Sequence, residues 1–210
     1  MMSKAIKGDV LEHYFINKTH SKSDYFNFTA KFLDKTYKIT SCDDVFSKNE
    51  LDYGSLVLCK TFLKTYPNAN GEILDMCCGY GTIALLLASN LKDCNFHLAD
   101  INKTGIELSK INAKYNNISN IVEIKESNMF ENINGEYDYI VSNPPIKAGK
   151  KVLLDFADNS INFLKSGGIL MLVIKKNLGA DSLKSHLTNL YGNCEVLERD
   201  KGYYILKCVK

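Results

Sequence analysis

The chain has 210 residues, 45% hydrophobic and 24% charged, with 13 Gly and 3 Pro. This supports one core, leaves little room for two domains, and excludes wholesale disorder and fibrous repeats. The formal net charge is +2, so bulk charge names no nucleic-acid partner, and the basic set is 25 Lys and a single Arg, Arg199. Any bound anion is therefore held by Lys and backbone N–H groups rather than by bidentate Arg forks.

The predicted elements begin with a hairpin, Tyr25–Leu33 and Tyr37–Ser41, with Asp34-Lys35 near its turn. A helix from about Tyr53 to Tyr66 ends before Pro67. Strand and helix then alternate. Glu72–Cys78 is a short buried strand, followed by a helix with Ile83, Leu86, Leu87 and Leu91 on one face. Asn95–Ile101 is a strand; the next helix carries Leu108, Ile111, Tyr115 and Ile118. Asn120–Lys125 and Tyr137–Ser142 are strands, and Val152–Leu164 is a helix stopped by Gly167-Gly168. Ile169–Ile174 is a strand and Ser182–Tyr191 a helix; Cys194–Glu198 and Tyr203–Val209 close the chain as two strands around Asp200-Lys201-Gly202. The alternation predicts an α/β fold: a doubly wound, mostly parallel sheet with a C-terminal antiparallel hairpin at one edge.

Seven Cys, at 42, 59, 77, 78, 94, 194 and 208, form no CxxC pair, and the four His are scattered. Neither a disulfide framework nor a metal site is expected. The first 15 residues lack a signal-peptide apolar core, and no stretch approaches about 18 apolar residues. The chain reads as cytoplasmic, without a membrane partner.

The first strand leads into Asp75-Met-Cys-Cys-Gly79-Tyr80-Gly81, where two glycines allow φ > 0 and close ligand approach. Asp100 ends the next strand and can accept from both hydroxyls of a ribose. Gly79 to Ala84 also fits the dinucleotide pattern G-x-G-x-x-A. Asp75 weighs against it, because a nearby carboxylate repels a pyrophosphate and attracts a ligand carrying an amino group. S-adenosylmethionine is such a ligand. After the fourth strand of the sheet comes Ser142-Asn143-Pro144-Pro145-Ile146. Two prolines fix a rigid turn that presents the Asn143 amide oxygen and the Pro144 carbonyl at the strand's C-terminal end. Two fixed acceptors suit an exocyclic –NH2 group, with catalysis by positioning and electrostatics.

These motifs resemble class I S-adenosylmethionine-dependent methyltransferases that modify amino nitrogens. More narrowly, the chain is similar to the small methyltransferase-domain family that includes the small-subunit rRNA guanine-N2 methyltransferases. The narrower likeness rests on His13-Tyr14-Phe15, Val45-Phe46-Ser47, Leu51-Asp52-Tyr53-Gly54-Ser55, Cys78-Gly79-Tyr80-Gly81, Ser142–Pro145, Lys147–Lys151 and Asp200–Tyr204. It implies a Rossmann-like seven-stranded sheet domain over 67–210 with residues 1–66 as an extension packed on it. It also implies donor contacts from Asp75, Cys77, Gly79, Gly81, Asp100, Ile101, Asn128, Met129 and Asn143. The catalytic turn would be Asn143, Pro144 and Pro145. Phe46, Ser47, Asp52, Ser55, Tyr80, Ile146, Lys147 and Lys150 would border the substrate.

Three positions depart from the pattern. Cys77 stands where a loop glycine is usual and fits if its backbone keeps φ < 0. Asn128 replaces a common Asp. Ile146 replaces an aromatic that would stack on a base, worth about 1–3 kcal/mol. Lys147, Lys150, Lys151 and the pair Lys175-Lys176 are either a solvated surface or RNA phosphate contacts. The expectation is a methyltransferase acting on an RNA base, guanine in rRNA favoured, with rRNA or a ribosomal subunit as partner and the protein a monomer or weak dimer. Alternatives are a protein glutamine amide methyltransferase, a catalytically silent RNA-binding module and, more distantly, an NAD-dependent dehydrogenase.

Overall fold

The computed structural model describes residues 24–210; the His13-Tyr14-Phe15 motif lies outside them. Nine strands and five α-helices follow in order: β1 (Phe26–Phe32), β2 (Lys35–Ser41), α1 (Tyr53–Thr65), β3 (Gly71–Met76), α2 (Thr82–Ala88), β4 (Cys94–Asp100), α3 (Lys103–Tyr115), β5 (Ile121–Glu126), β6 (Tyr137–Ser142), α4 (Lys150–Ser160), β7 (Leu164–Lys175), α5 (Ala180–Tyr191), β8 (Glu195–Asp200) and β9 (Tyr203–Val209).

Seven strands form one sheet in the order β5-β4-β3-β6-β7-β9-β8. The first five are parallel and β9 pairs antiparallel to both β7 and β8. The predicted Rossmann-like sheet and its closing hairpin are therefore present. Both faces are covered, which is why the strands read as near-continuous apolar runs. Alternate residues serve the two sides: Met171 and Val173 of β7 join the cluster built with α1, α2, α3 and the β1–β2 hairpin, while Leu170, Leu172 and Ile174 join the cluster with α4 and α5. No described helix is long and apolar enough to cross a membrane, and the seven cysteines form no disulfide.

The hairpin and α1 share their core with the sheet domain: Phe32, Tyr37, Ile39, Leu58 and Phe62 pack in one cluster with Ile83 and Leu87. Buried Asn112 of α3 ties the hairpin to the sheet. It accepts from Thr40 N (2.7 Å) and donates to Thr40 O and Tyr80 O (3.1 Å each).

Several boundaries differ from expectation. The hairpin turn is Leu33-Asp34, not Asp34-Lys35. Lys35 is drawn into β2, where its Nζ reaches Ser89 O (2.7 Å) and Asn90 Oδ1 (2.8 Å). The strand expected to reach Cys78 ends at Met76, so both cysteines belong to the loop. Tyr115 is exposed; the buried face of α3 is instead Thr104, Gly105, Ile106, Leu108, Ser109, Asn112 and Ala113, and the helix packs against β2, β4 and β5. Gly167-Gly168 does not stop a helix. Helix α4 ends at Ser160, and the two glycines lie within β7, where Gly167 N and Gly168 O bond to Lys210.

Candidate active site

The C-terminal ends of β3, β4 and β6 open onto a cleft of about 490 Å³. Parallel sheets bind ligands at this edge because adjacent loops diverge there. The loop after β3 turns through left-handed backbone at Cys77 (φ +61°), Gly79 (φ +56°) and Gly81 (φ +87°). Cys77 does not keep the negative φ expected of it, and a left-handed residue with a Cβ costs about 1–2 kcal/mol. Open space surrounds the position a Cβ would take at Gly79. At Gly105, in the first turn of α3, a Cβ would lie 2.8 Å from Gly79 O, so helix and loop approach closely only because this residue is glycine.

Asp100, at the end of β4, closes the loop: Oδ2 accepts from Gly79 N (2.7 Å) and Oδ1 from Asn102 N (2.8 Å). Burial raises its pKa, opposed by these N–H donors. Asp75 behaves differently from the expected donor contact. It is fully buried beneath the loop, outside the cleft lining, and Oδ2 accepts from Ala84 N at 2.9 Å. That bond satisfies a first-turn donor of α2, whose N-cap Gly81 has no side chain to do so. Oδ1 has no partner among the described residues, and burial pushes the pKa to about 8. Burial thus disfavours the charge on which the expected attraction for a cationic ligand relies.

After β6, Pro145 (φ −75°, ψ 72°) forms an inverse γ-turn closed by Ile146 N donating to Pro144 O (2.8 Å). Asn143 is held from the N-terminal side of the chain. Its Nδ2 donates to Asp52 Oδ2 (2.8 Å) and Ser55 Oγ (3.0 Å). Asp52 is also the N-cap of α1, accepting from Ser55 N at 2.8 Å. An ionised carboxylate only accepts, so the Asn143 amide must turn its –NH2 toward Asp52, which leaves Oδ1 as the open acceptor.

The remaining expected residues divide. Cys77, Gly79, Ile101, Asn128, Met129, Phe46, Ser47, Asp52, Ser55, Tyr80, Pro145 and Lys147 line the cleft with Asp100 and Asn143. Gly81, Pro144, Ile146 and Lys150 do not: Gly81 faces Ser109, Pro144 is buried, and Lys150 sits exposed at the start of α4. Tyr80 is buried, its hydroxyl donating to Ser47 O (3.1 Å) and Glu50 O (3.3 Å), which holds the Phe46–Glu50 segment at the cleft mouth. Burial pushes its pKa to about 12, so it stays a donor. Phe46 itself is 59% exposed.

The methyltransferase small domain family matches residues 36–207, a span that contains every residue of this cleft. The chain belongs to that family. Within it, the chain is 41% identical over 201 residues to the uncharacterized protein YbxB of Bacillus subtilis (strain 168), covering 95% of this chain and 98% of that one. It is 33% identical over 176 residues to the ribosomal RNA small subunit methyltransferase C of Photorhabdus laumondii, covering 82% of this chain and 50% of that one. The chain thus spans about half the length of the named methyltransferase relative. Among solved structures, a T. thermophilus 16S rRNA N2 methyltransferase in complex with AdoMet and guanosine superposes with a TM-score of 0.77 at 23% identity, over 89% of this chain and 50% of that one. A ribosomal protein L11 methylase from Lactobacillus delbrueckii gives 0.64 at 16%, over 76% and 80%. At these identities the structures show a shared fold.

In this small-domain methyltransferase, sequence reasoning missed Asp43, Asp44, Asn102 and Ser127, all of which line the cleft. Asn102 carried a usable signal. It follows the strand-end Asp100 and precedes a helical run, and it is the N-cap of α3, accepting from Gly105 N at 3.1 Å. The others sit on irregular backbone with no period to read.

Proposed function

We propose that the chain transfers a methyl group from S-adenosylmethionine to an exocyclic amino nitrogen of an RNA base, guanine in ribosomal RNA. The observation that carries this reading is the fixed orientation of Asn143, whose free Oδ1 is the acceptor a base amine requires.

The cleft residues fit the donor. A volume of about 490 Å³ lies in the range of small-molecule sites. Each Asp100 oxygen accepts one backbone N–H and keeps a lone pair for a ribose hydroxyl. The open space at Gly79 lets the methionine end approach the backbone. Asn128 and Met129, after β5, border the adenine. When bound, the donor supplies an already activated methyl group.

The chain's own residues then have a positioning task. Asn143 Oδ1 accepts one N–H of the target amine. It orients the nitrogen lone pair toward the methyl group and stabilises the positive charge that grows on nitrogen. The Pro144 carbonyl, expected as a second acceptor, belongs to a buried residue outside the cleft lining and takes the Ile146 N–H. Phe46 offers the exposed aromatic face that Ile146 lacks; Lys147 at the cleft and the exposed Lys150 at the start of α4 would contact phosphates. The RNA class is supported by the relatives named as rRNA methyltransferases, although they are twice as long. The described part of the proposed extension, 24–66, supplies Asp52 and Ser55 to the proposed 67–210 methyltransferase domain.

The test is to incubate the protein with labelled methyl donor and, in turn, naked rRNA, ribosomal subunits and total protein. Label in RNA at a guanine amine is expected. Label in protein alone would overturn the reading. Donor binding with no label anywhere would point to a silent module. Asn143→Ala is expected to abolish transfer while donor binding survives.

A further inference from the structure

A second basic surface gathers where β7 ends beside the β8–β9 turn. Lys175 ends β7, Lys176 follows it, and Lys201 sits in the two-residue turn between β8 and β9, where Lys201 (φ +45°) and Gly202 (φ +82°) form a tight hairpin turn. Lys176 N donates to Gly202 O at 2.8 Å, which locks the end of β7 to this turn. The residues Lys175, Lys176, Asn177, Asp181, Lys201 and Gly202 enclose a shallow groove of about 480 Å³.

The cations are held by aromatic rings. Lys175 Nζ lies 4.9 Å from the centre of Tyr203, and Lys201 Nζ lies 4.5 Å from that of Tyr53. Arg199, the one arginine, lies 5.0 Å from Tyr204, whose ring packs on the opposite face of the sheet from Tyr203. None of the three lysine ammonium groups is salt-bridged among the described residues. Of the nearby carboxylates, Asp200 accepts the Tyr53 hydroxyl at 2.7 Å, and Asp181 sits in the first turn of α5, where the helix N-terminus favours it. A cation over a ring keeps its charge and its donors, so these groups remain available to an anion while losing little freedom when it binds.

The groove and the active site share no lining residue, but the first residue of α1 links them. Tyr53 directly follows Asp52, which holds Asn143. The Tyr53 and Tyr203 rings are 5.9 Å apart, and a Cβ at Gly54 would meet the Tyr203 ring at 2.7 Å. Lys201 and Lys175 thus stand over two neighbouring rings, Tyr53 and Tyr203, the first of which follows the residue that holds Asn143.

We propose that this groove docks the sugar–phosphate backbone of single-stranded RNA next to the target base, by point-charge contacts from Lys175, Lys176 and Lys201. The proposal rests on the RNA reading above. RNA is favoured over an acidic protein because Lys201 lies over the ring next in sequence to Asp52, which orients the acceptor for a base amine, and because lysine contacts to phosphate need no fixed geometry and read no sequence.

The test measures binding of a fluorescent single-stranded RNA by anisotropy against salt, with wild type and with the triple variant Lys175→Ala, Lys176→Ala, Lys201→Ala. The expected result is at least a tenfold loss of affinity and a salt slope shallower by about 2, from about 0.7 per lost single-strand phosphate contact. The exposed single variant Lys176→Glu serves if the triple variant folds poorly, and is expected to weaken binding several-fold. Equal affinity and slope in wild type and variants would overturn the proposal, as would absence of RNA binding by wild type. Methyl transfer followed in parallel reports on the proposed reaction alone, so binding without transfer sinks that reading and leaves the groove standing.

Discussion

Asp52 Oδ2 lies 2.8 Å from the amide nitrogen of Asn143, joining residues 91 positions apart, and the same oxygen caps α1 through Ser55 N. One carboxylate thus begins a helix and orients the acceptor in the cleft. Asp52→Asn separates the two roles, because Asn caps a helix as well as Asp does. It no longer forces the Asn143 amide to face one way. Thermal stability and donor affinity are expected to stay near wild type while kcat falls about 10- to 100-fold, the value of a charge-assisted hydrogen bond. Asp52→Ala should also lose about 1 kcal/mol of stability. An unchanged kcat in Asp52→Asn would remove Asp52 from this role.

Gly105→Ala places a Cβ 2.8 Å from Gly79 O, a backbone atom with little room to move. Intrinsic helix propensity favours Ala by about 1 kcal/mol, so the substitution opposes propensity to loop geometry. Titration calorimetry is expected to show donor binding weakened at least tenfold. Unchanged donor affinity would mean that the loop does not need this approach.

Asp75 predicts a pH dependence. Its pKa is raised from 3.8 to about 8 in the fold, mainly by burial. The folded state therefore holds a proton that the unfolded chain releases near its ordinary value. The stability this contributes is full below pH 3.8 and is lost as pH rises to about 8. Melting temperatures taken across this window should fall for wild type relative to Asp75→Asn, which carries no such proton. Parallel curves for the two proteins would contradict the buried, neutral carboxyl.

Phe46 is 59% exposed at the cleft mouth. If it supplies the stacking that Ile146 lacks, Phe46→Ala should cost about 1–3 kcal/mol of RNA affinity. The expected readout is a raised KM for RNA with donor affinity near wild type. Weaker donor binding and an unchanged KM for RNA would assign the ring to the donor instead.

The alternation of apolar strands and amphipathic helices was enough to read the seven-stranded sheet, because burial on both faces leaves a continuous apolar signature. The same reading misplaced Gly167-Gly168, since a glycine pair after a helix and a glycine pair in a distorted strand look alike until the Lys210 pairing is known. Periodicity places Tyr115 on a buried face, but α3 packs against β2, β4 and β5 through residues such as Ile106, Leu108 and Asn112, and its last residue extends beyond them. The hairpin turn shifted by one residue because Lys35 has partners on a distant loop.

For the site, residue types at short spacing were legible: the turn glycines, the strand-end Asp100 and the Asn-Pro-Pro turn each state their chemistry locally. What sequence could not state was direction. Whether Asp75 faces the ligand or lies beneath the loop, whether Cys77 adopts positive φ, and which face of the Asn143 amide is free depend on contacts made after the chain closes on itself. Local sequence determined the sheet, its turns and the inventory of donors and acceptors, because those follow from backbone sterics and periodic burial. Only the tertiary structure decided which lone pairs remain open, because a hydrogen bond between residues as distant as Asp52 and Asn143 leaves no periodic trace in the chain.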